Sequence, residues 1–178
     1  MNMEARTAKS AAAEKTTSMR IRFDGWEVQD ARPPMSEAEF LAFCRKNPDL
    51  RIEQDKNGNI LIMPPVSFDA GNFESEAMIS LGIWNSSSKL GKTFSPSTLF
   101  LLPNGEKRMP DAAWVSHEKI KNLSAKARKS FARLVPDFVV EIRSPSDDLE
   151  DLKQKMRESW IANGVSLAWL LDPETETA

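Results

Sequence analysis

Two carboxylates occupy positions where an apolar strand has little reason to keep them. Glu141 lies inside Phe138-Val139-Val140-Glu141-Ile142, and Asp111 follows Pro110 at the head of Ala112-Ala113-Trp114-Val115. An ionised carboxylate in such a setting costs several kcal/mol unless a cation compensates it. Glu141 is also near the C-terminal end of its strand, where open α/β sheets place ligands. Glu76 and Glu53 are the acids that complete a cluster around them. Two carboxylates about 5 Å apart repel by roughly 3 kcal/mol at an effective dielectric of about 20, so a site that gathers three requires a cation. One cysteine, Cys44, and one histidine, His117, give no set of soft ligands, and His117 without a partner makes no triad. Oxygen ligation points to Mg²⁺ or Mn²⁺, which acidifies a water and offsets the charge developing on a phosphodiester. A lysine then orients or deprotonates the attacking water. Arg143, Lys153 and Lys155 are the cations nearest by sequence. The competing structural readings are that Asp111 starts a strand, that Glu141 pairs with Arg143, and that Glu76 and Glu53 are solvated.

The elements that must position these groups are legible as periodicities. Ser36-Glu37-Ala38-Glu39 has the pattern of a capping box ahead of Phe40, Leu41 and Cys44, predicting a short amphipathic helix up to Asn47-Pro48. Arg51-Ile52-Glu53 and Ile60-Leu61-Ile62-Met63 flank Asn57-Gly58 and predict a hairpin. Phe73, Ala77, Leu81 and Trp84 form a helical stripe over about 71–89, with Gly91 at its end. Strands are expected at 99–102 and 112–115 around Asn104-Gly105. Strand 138–142, a helix marked by Leu149, Leu152, Met156 and Trp160, and strand 167–171 predict a parallel crossover unit buried on both faces. Lys153 and Lys155 both fall at the edges of that helix's apolar face, so periodicity does not choose between them. The fold class is mixed α/β.

The 178 residues suit one domain, expected over 20–178 behind an unstructured tail at 1–19. No apolar run is long enough for a membrane span or a secretory signal, so a cytoplasmic location is expected. A net charge of −2 excludes attraction to nucleic acid through bulk charge. Yet Lys119, Lys121, Lys126, Arg128, Lys129 and Arg133 follow one another without an intervening acid. This strip is a candidate phosphate-facing surface. A solvated polar segment accounts for it equally well.

Four runs in order carry a resemblance: Ile62-Met63-Pro64-Pro65; Leu102-Pro103-Asn104-Gly105 through Pro110-Asp111-Ala112-Ala113-Trp114-Val115; Pro136-Asp137 through Glu141-Ile142-Arg143-Ser144-Pro145-Ser146-Asp147; and Asn163-Gly164-Val165 to Asp172-Pro173. Together they resemble the Uma (Uma-two) family of restriction endonucleases in the PD-(D/E)-x-K nuclease superfamily. The resemblance implies a restriction-endonuclease-like central mixed sheet flanked by helices, with Asp111 and Glu141 as metal-binding acids and Glu76 as a supporting acid. It places the lysine on the helix after Glu141, where Lys155-Met156-Arg157-Glu158 matches and favours Lys155; the position two after the glutamate is Arg143. Counting back from Asn163-Gly164 gives one residue too many near Ser159, and Trp160 stands nearest to a missing tyrosine. Relatives continue past Asp172-Pro173, so a C-terminal truncation is expected. The implied function is metal-dependent hydrolysis of nucleic-acid phosphodiesters, with DNA the expected partner and a homodimer the expected means of cutting both strands. The rival is a catalytically silent binding module that keeps the fold.

Overall fold

Ser36 opens the first helix by accepting from the Glu39 amide while Glu39 returns a bond to the Ser36 amide, the reciprocal cap its sequence predicts. The computed structural model describes residues 21–23, 26–28 and 35–178, and the expected tail at 1–19 lies outside them. Two short strands precede that helix, β1 (Ile21–Phe23) and β2 (Trp26–Val28), and were not expected. Helix α1 (Glu37–Lys46) is followed by β3 (Arg51–Gln54) and β4 (Ile60–Met63), the predicted hairpin, whose turn uses Gly58 at φ 84°. Helix α2 (Phe68–Ser88) then leads into β5 (Gly91–Phe94). Lys89, at φ 55°, takes the left-handed position that ends α2, not Gly91. Gly91 has a different duty: a Cβ there would meet the Val115 carbonyl oxygen at 2.2 Å, so its lack of a side chain lets β5 lie against the next strand.

The turn at Asn104-Gly105 joins β6 (Phe100–Leu101) to the two-residue β7 (Lys107–Arg108), which sequence periodicity missed, and not directly to β8 (Ala112–Ser116). Beyond β8 lie α3 (His117–Lys121), α4 (Ala125–Arg128), β9 (Ala132–Arg133), β10 (Phe138–Ile142) and α5 (Leu149–Lys155). Helix α5 widens into a π turn over Met156–Trp160 and closes through a 3₁₀ turn at Gly164, ahead of β11 (Leu167–Leu171). The surplus residue in the sequence count is absorbed by this π turn, the usual way a helix accommodates one.

The chain is mixed α/β, as expected, but with two mixed sheets where one was expected. Among the described residues one has seven strands in the order β2-β1-β4-β3-β7-β6-β9, and the other four in the order β11-β10-β8-β5. Strands β10 and β11 are parallel, as the crossover predicts. Burial on both faces holds for β10 alone: β11 is an edge strand, and Leu167 and Trp169 are half exposed. Alternation along the strands sets the layers. Ala112, Val140 and Ile142 face α2 and its Leu81, while Ala113, Val115 and Val139 pack with Phe100, Met156 and Trp160. The seven-stranded sheet turns Ile52, Ile60 and Leu101 to Phe40 of α1. Its opposite face is therefore directed at the four-stranded sheet. No helix among the described residues is long and apolar enough to cross a membrane.

Candidate active site

Strand parity decides where the two anomalous acids point. Asp111 shares its face with Ala113 and Glu141 shares its face with Val139, so both are directed away from α2 and toward the layer that contains Trp160. The antiparallel pairing of β8 with β10 matches Ala112 to Val140, which brings Asp111 beside Glu141. One oxygen of each carboxylate is fixed by the protein. Asp111 Oδ2 accepts from the Ile142 amide at 2.8 Å. Glu141 Oε1 accepts from Trp160 Nε1 at 2.7 Å and lies 2.8 Å from Lys155 Nζ. Asp111 Oδ1 and Glu141 Oε2 have no hydrogen-bond partner among the described residues.

Lys155, rather than Lys153, is the lysine delivered to the acids. Lys153 has a half-exposed side chain paired with Glu150 at 2.8 Å. Arg143, the sequence's alternative partner for Glu141, instead bonds Asp172 at 2.9 Å and approaches Glu174 at 3.4 Å. The second carboxylate near Lys155 is Glu53, with Oε1 at 3.6 Å from Nζ. Glu53 is buried at 1% exposure, accepts from the Met109 amide at 2.7 Å and from Arg108 Nη1 at 3.0 Å, while Arg108 Nη2 reaches Glu106 at 3.1 Å. Glu106 Oε1 also accepts from the Lys56 amide at 3.1 Å.

Glu76 is not drawn into this cluster. It is exposed and accepts from Asn72 Nδ2 at 3.1 Å. The α2 carboxylate felt at Asp111 is Glu74, accompanied by Arg51 of β3. A sequence signal existed for it: Glu74 is seven residues, two helical turns, before buried Leu81. Glu106 and Arg108 offered no such signal, because β7 carries only two residues and both are cationic.

The charges settle differently across the cluster. Burial pushes Asp111 from 3.8 to about 6; Lys155 and the Ile142 amide oppose the shift, and Glu74 adds to it. Burial likewise pushes Glu141 from 4.5 to about 7, opposed by Lys155 and reinforced by Asp111 and Glu53. For Glu53 burial also favours the neutral acid, but Lys155, Arg108 and the Met109 amide outweigh it and lower its pKa. Burial would lower Lys155; Glu141 and Glu53 outweigh that and keep it an ammonium above the usual lysine range.

The basic strip lies elsewhere. It begins past Ser116, at the end of β8 opposite Asp111, and five strand residues span about 17 Å. Lys119 is committed to Asp137 at 2.9 Å and to the Val135 carbonyl, and Arg133 to Glu37 at 2.6 Å. Lys121, Lys126, Arg128 and Lys129 are exposed and have no ion-pair partner among the described residues. Lys119 and Arg133 also border a shallow hollow of about 370 Å³ beside Leu101 and Leu134, which contains none of the acids.

The sequence profile of a family described as "Putative restriction endonuclease" matches residues 37–178. The chain belongs to the Uma2 family. No curated protein matches it. Among solved structures it is similar to a putative nuclease of the DUF820 group from Anabaena variabilis ATCC 29413, at 18% identity and a TM-score of 0.64, covering 79% of this chain and 75% of that one. At that identity the likeness establishes a shared fold. Membership of a family so described supports a nuclease, and with it a nucleic-acid substrate.

Proposed function

We propose that this Uma2 protein is a divalent-metal-dependent endonuclease acting on DNA, with Asp111 and Glu141 as metal ligands and Lys155 as the catalytic cation. The observation that carries the reading is the paired carboxylates, each with one oxygen fixed by a protein donor and the other unbonded, flanked by a half-buried ammonium. The donor set fits a hard cation. Three buried carboxylates, Glu53, Glu106 and Glu141, and the half-buried Asp111 stand with two cations, Arg108 and Lys155, so when all four acids are ionised the excess of two negative charges matches one divalent ion. Among the described residues no three His, Cys, Asp or Glu side chains converge to hold a metal. Two carboxylate ligands with water and substrate phosphate completing the shell is the arrangement Mg²⁺ and Mn²⁺ accept.

Asp111 Oδ1 and Glu141 Oε2 would hold that ion, which when bound supplies an acidified water and a charge to oppose that on the phosphodiester. The Ile142 amide and the Trp160 indole keep the two carboxylates from rotating away. Lys155 holds its proton, so its part is electrostatic: it presents a positive charge to the phosphoryl oxygens as negative charge accumulates on them. Lys121, Lys126, Arg128 and Lys129, which lie past the far end of β8 from the acids, then contact the DNA backbone away from the scissile bond. Cleavage of both strands calls for two such sites, supplied by a homodimer.

The test is calorimetric titration of Mn²⁺ into wild type and Asp111→Asn, with plasmid nicking at low salt. Binding and nicking lost together in the folded variant support the proposal. A folded wild type that binds no Mn²⁺ sinks it, and DNA binding that persists there would indicate a silent scaffold.

A further inference from the structure

We infer that Glu53 is the positioning residue for Lys155, a fixed anion that keeps the ammonium aimed at the acid pair whatever Glu141 is bonded to. The inference rests on the nuclease reading of the site and adds to it a residue that the two-acid description leaves out. Lys155 Nζ lies between two carboxylates, 2.8 Å from Glu141 and 3.6 Å from Glu53. Their freedoms are unequal. Glu141 keeps Oε2 unbonded, so it can turn its charge toward a cation. Glu53 has both oxygens engaged, Oε1 by the Met109 amide at 2.7 Å and Oε2 by Arg108 at 3.0 Å, and Arg108 is in turn held by Glu106 at 3.1 Å. A carboxylate so clamped, at 1% exposure, is held in one orientation by a donor on each oxygen.

The two supports also belong to different sheets, Glu53 to the seven-stranded one and Glu141 to the four-stranded one. When Glu141 shares its charge with a metal, its hold on Lys155 weakens, and the lysine's long side chain would otherwise drift. Glu53 supplies a second, metal-independent attraction from the facing sheet, at a separation where charge acts without a hydrogen bond.

The experiment compares wild type, Glu53→Gln and the triple variant Glu53→Gln/Glu106→Gln/Arg108→Met, the last removing the buried charges around Arg108 as a unit should the single change fail to fold. Reductive methylation of Lys155 is followed by mass spectrometry relative to Lys153 of the same helix, with and without saturating Mn²⁺, alongside Mn²⁺ titration and single-turnover plasmid nicking. Removing the anchor should raise the Lys155/Lys153 ratio about tenfold, more with Mn²⁺ present. The Mn²⁺ dissociation constant should stay within about threefold, and the single-turnover rate should fall about 100-fold without loss of plasmid affinity. An unchanged Lys155/Lys153 ratio in a folded variant overturns the inference, and so does loss of Mn²⁺ binding, which would make Glu53 a ligand. If wild type itself neither binds Mn²⁺ nor nicks DNA, the nuclease reading fails, and the metal-free ratio alone still decides whether Glu53 anchors Lys155.

Discussion

The region around Glu53 and the region around Glu141 contain the same materials and reach opposite outcomes. Both carboxylates are buried and both face Lys155, yet Glu53 is held ionised while Glu141 is pushed toward its neutral form. The difference lies in the company each keeps. Glu53 has a guanidinium and a backbone amide in addition to the lysine; Glu141 has an indole N–H, the same shared lysine and the repulsion of Asp111. One region is closed and electrically complete, the other is left short of positive charge. A protein that only needed stability would have finished both in the same way.

The sharpest way to break the comparison is to remove one partner on the closed side. Arg108→Met leaves Glu53 and Glu106 buried without their cation and should cost about 3–5 kcal/mol in urea unfolding. Glu141→Gln relieves repulsion instead, so at pH 8 without metal it should unfold no earlier than wild type while abolishing nicking; marked destabilisation would show that the open side is structural.

The pH dependence comes next in size. Asp111 and Glu141 have folded pKa values above their ordinary ones, so the folded state binds more protons. Their contribution to stability is complete below about pH 4 and is lost as pH rises through about 6 and 7. The loss should be about 3 kcal/mol for each carboxylate at most, less for the interacting pair, and Mn²⁺ should flatten it. A metal-free stability profile that stays level between pH 5 and 8 would contradict the open-site description. Trp160→Phe, which keeps an aromatic ring but removes the donor, should weaken Mn²⁺ binding about 10-fold to 100-fold. The smallest effect concerns the strip: replacing Lys121, Lys126, Arg128 and Lys129 by alanine should leave nicking chemistry intact and reduce the salt slope of DNA binding by about 0.9 for each side chain that contacts phosphate.

How much of this was legible in the sequence follows the same division. Asp111 and Glu141 stood out because a charge in an apolar strand is an anomaly of one dimension, visible without knowing what packs against it. Glu53 was harder to read. In Arg51-Ile52-Glu53 it alternates with a core isoleucine and so looks like a solvent-facing residue, and only a second sheet lying over that face buries it. The same limit applies to Arg108, in a two-residue strand with no apolar partner to mark it. Periodicity left Lys153 and Lys155 equal because both edge the helix's apolar face, and the sheet to which that helix returns distinguishes them. The long helix was found but its acid was misplaced: Glu76 projects to solvent and Glu74 inward.

The π turn fixes an angular relation as well as absorbing a residue. In a regular α-helix, side chains five positions apart point about 140° away from each other around the axis. Lys155 and Trp160 are such a pair, yet both arrive at the same oxygen of Glu141. Bonding from i to i+5 across Met156–Trp160 lessens that divergence. Regularising this turn without removing a residue would preserve every residue of the acid pair while swinging the ammonium and the indole apart, whereas removing one residue as well, Ser159 for instance, would return them to an i, i+4 pair about 40° apart. The spacing of this helix therefore works as a phase setting, in which the count of residues matters as much as their identity.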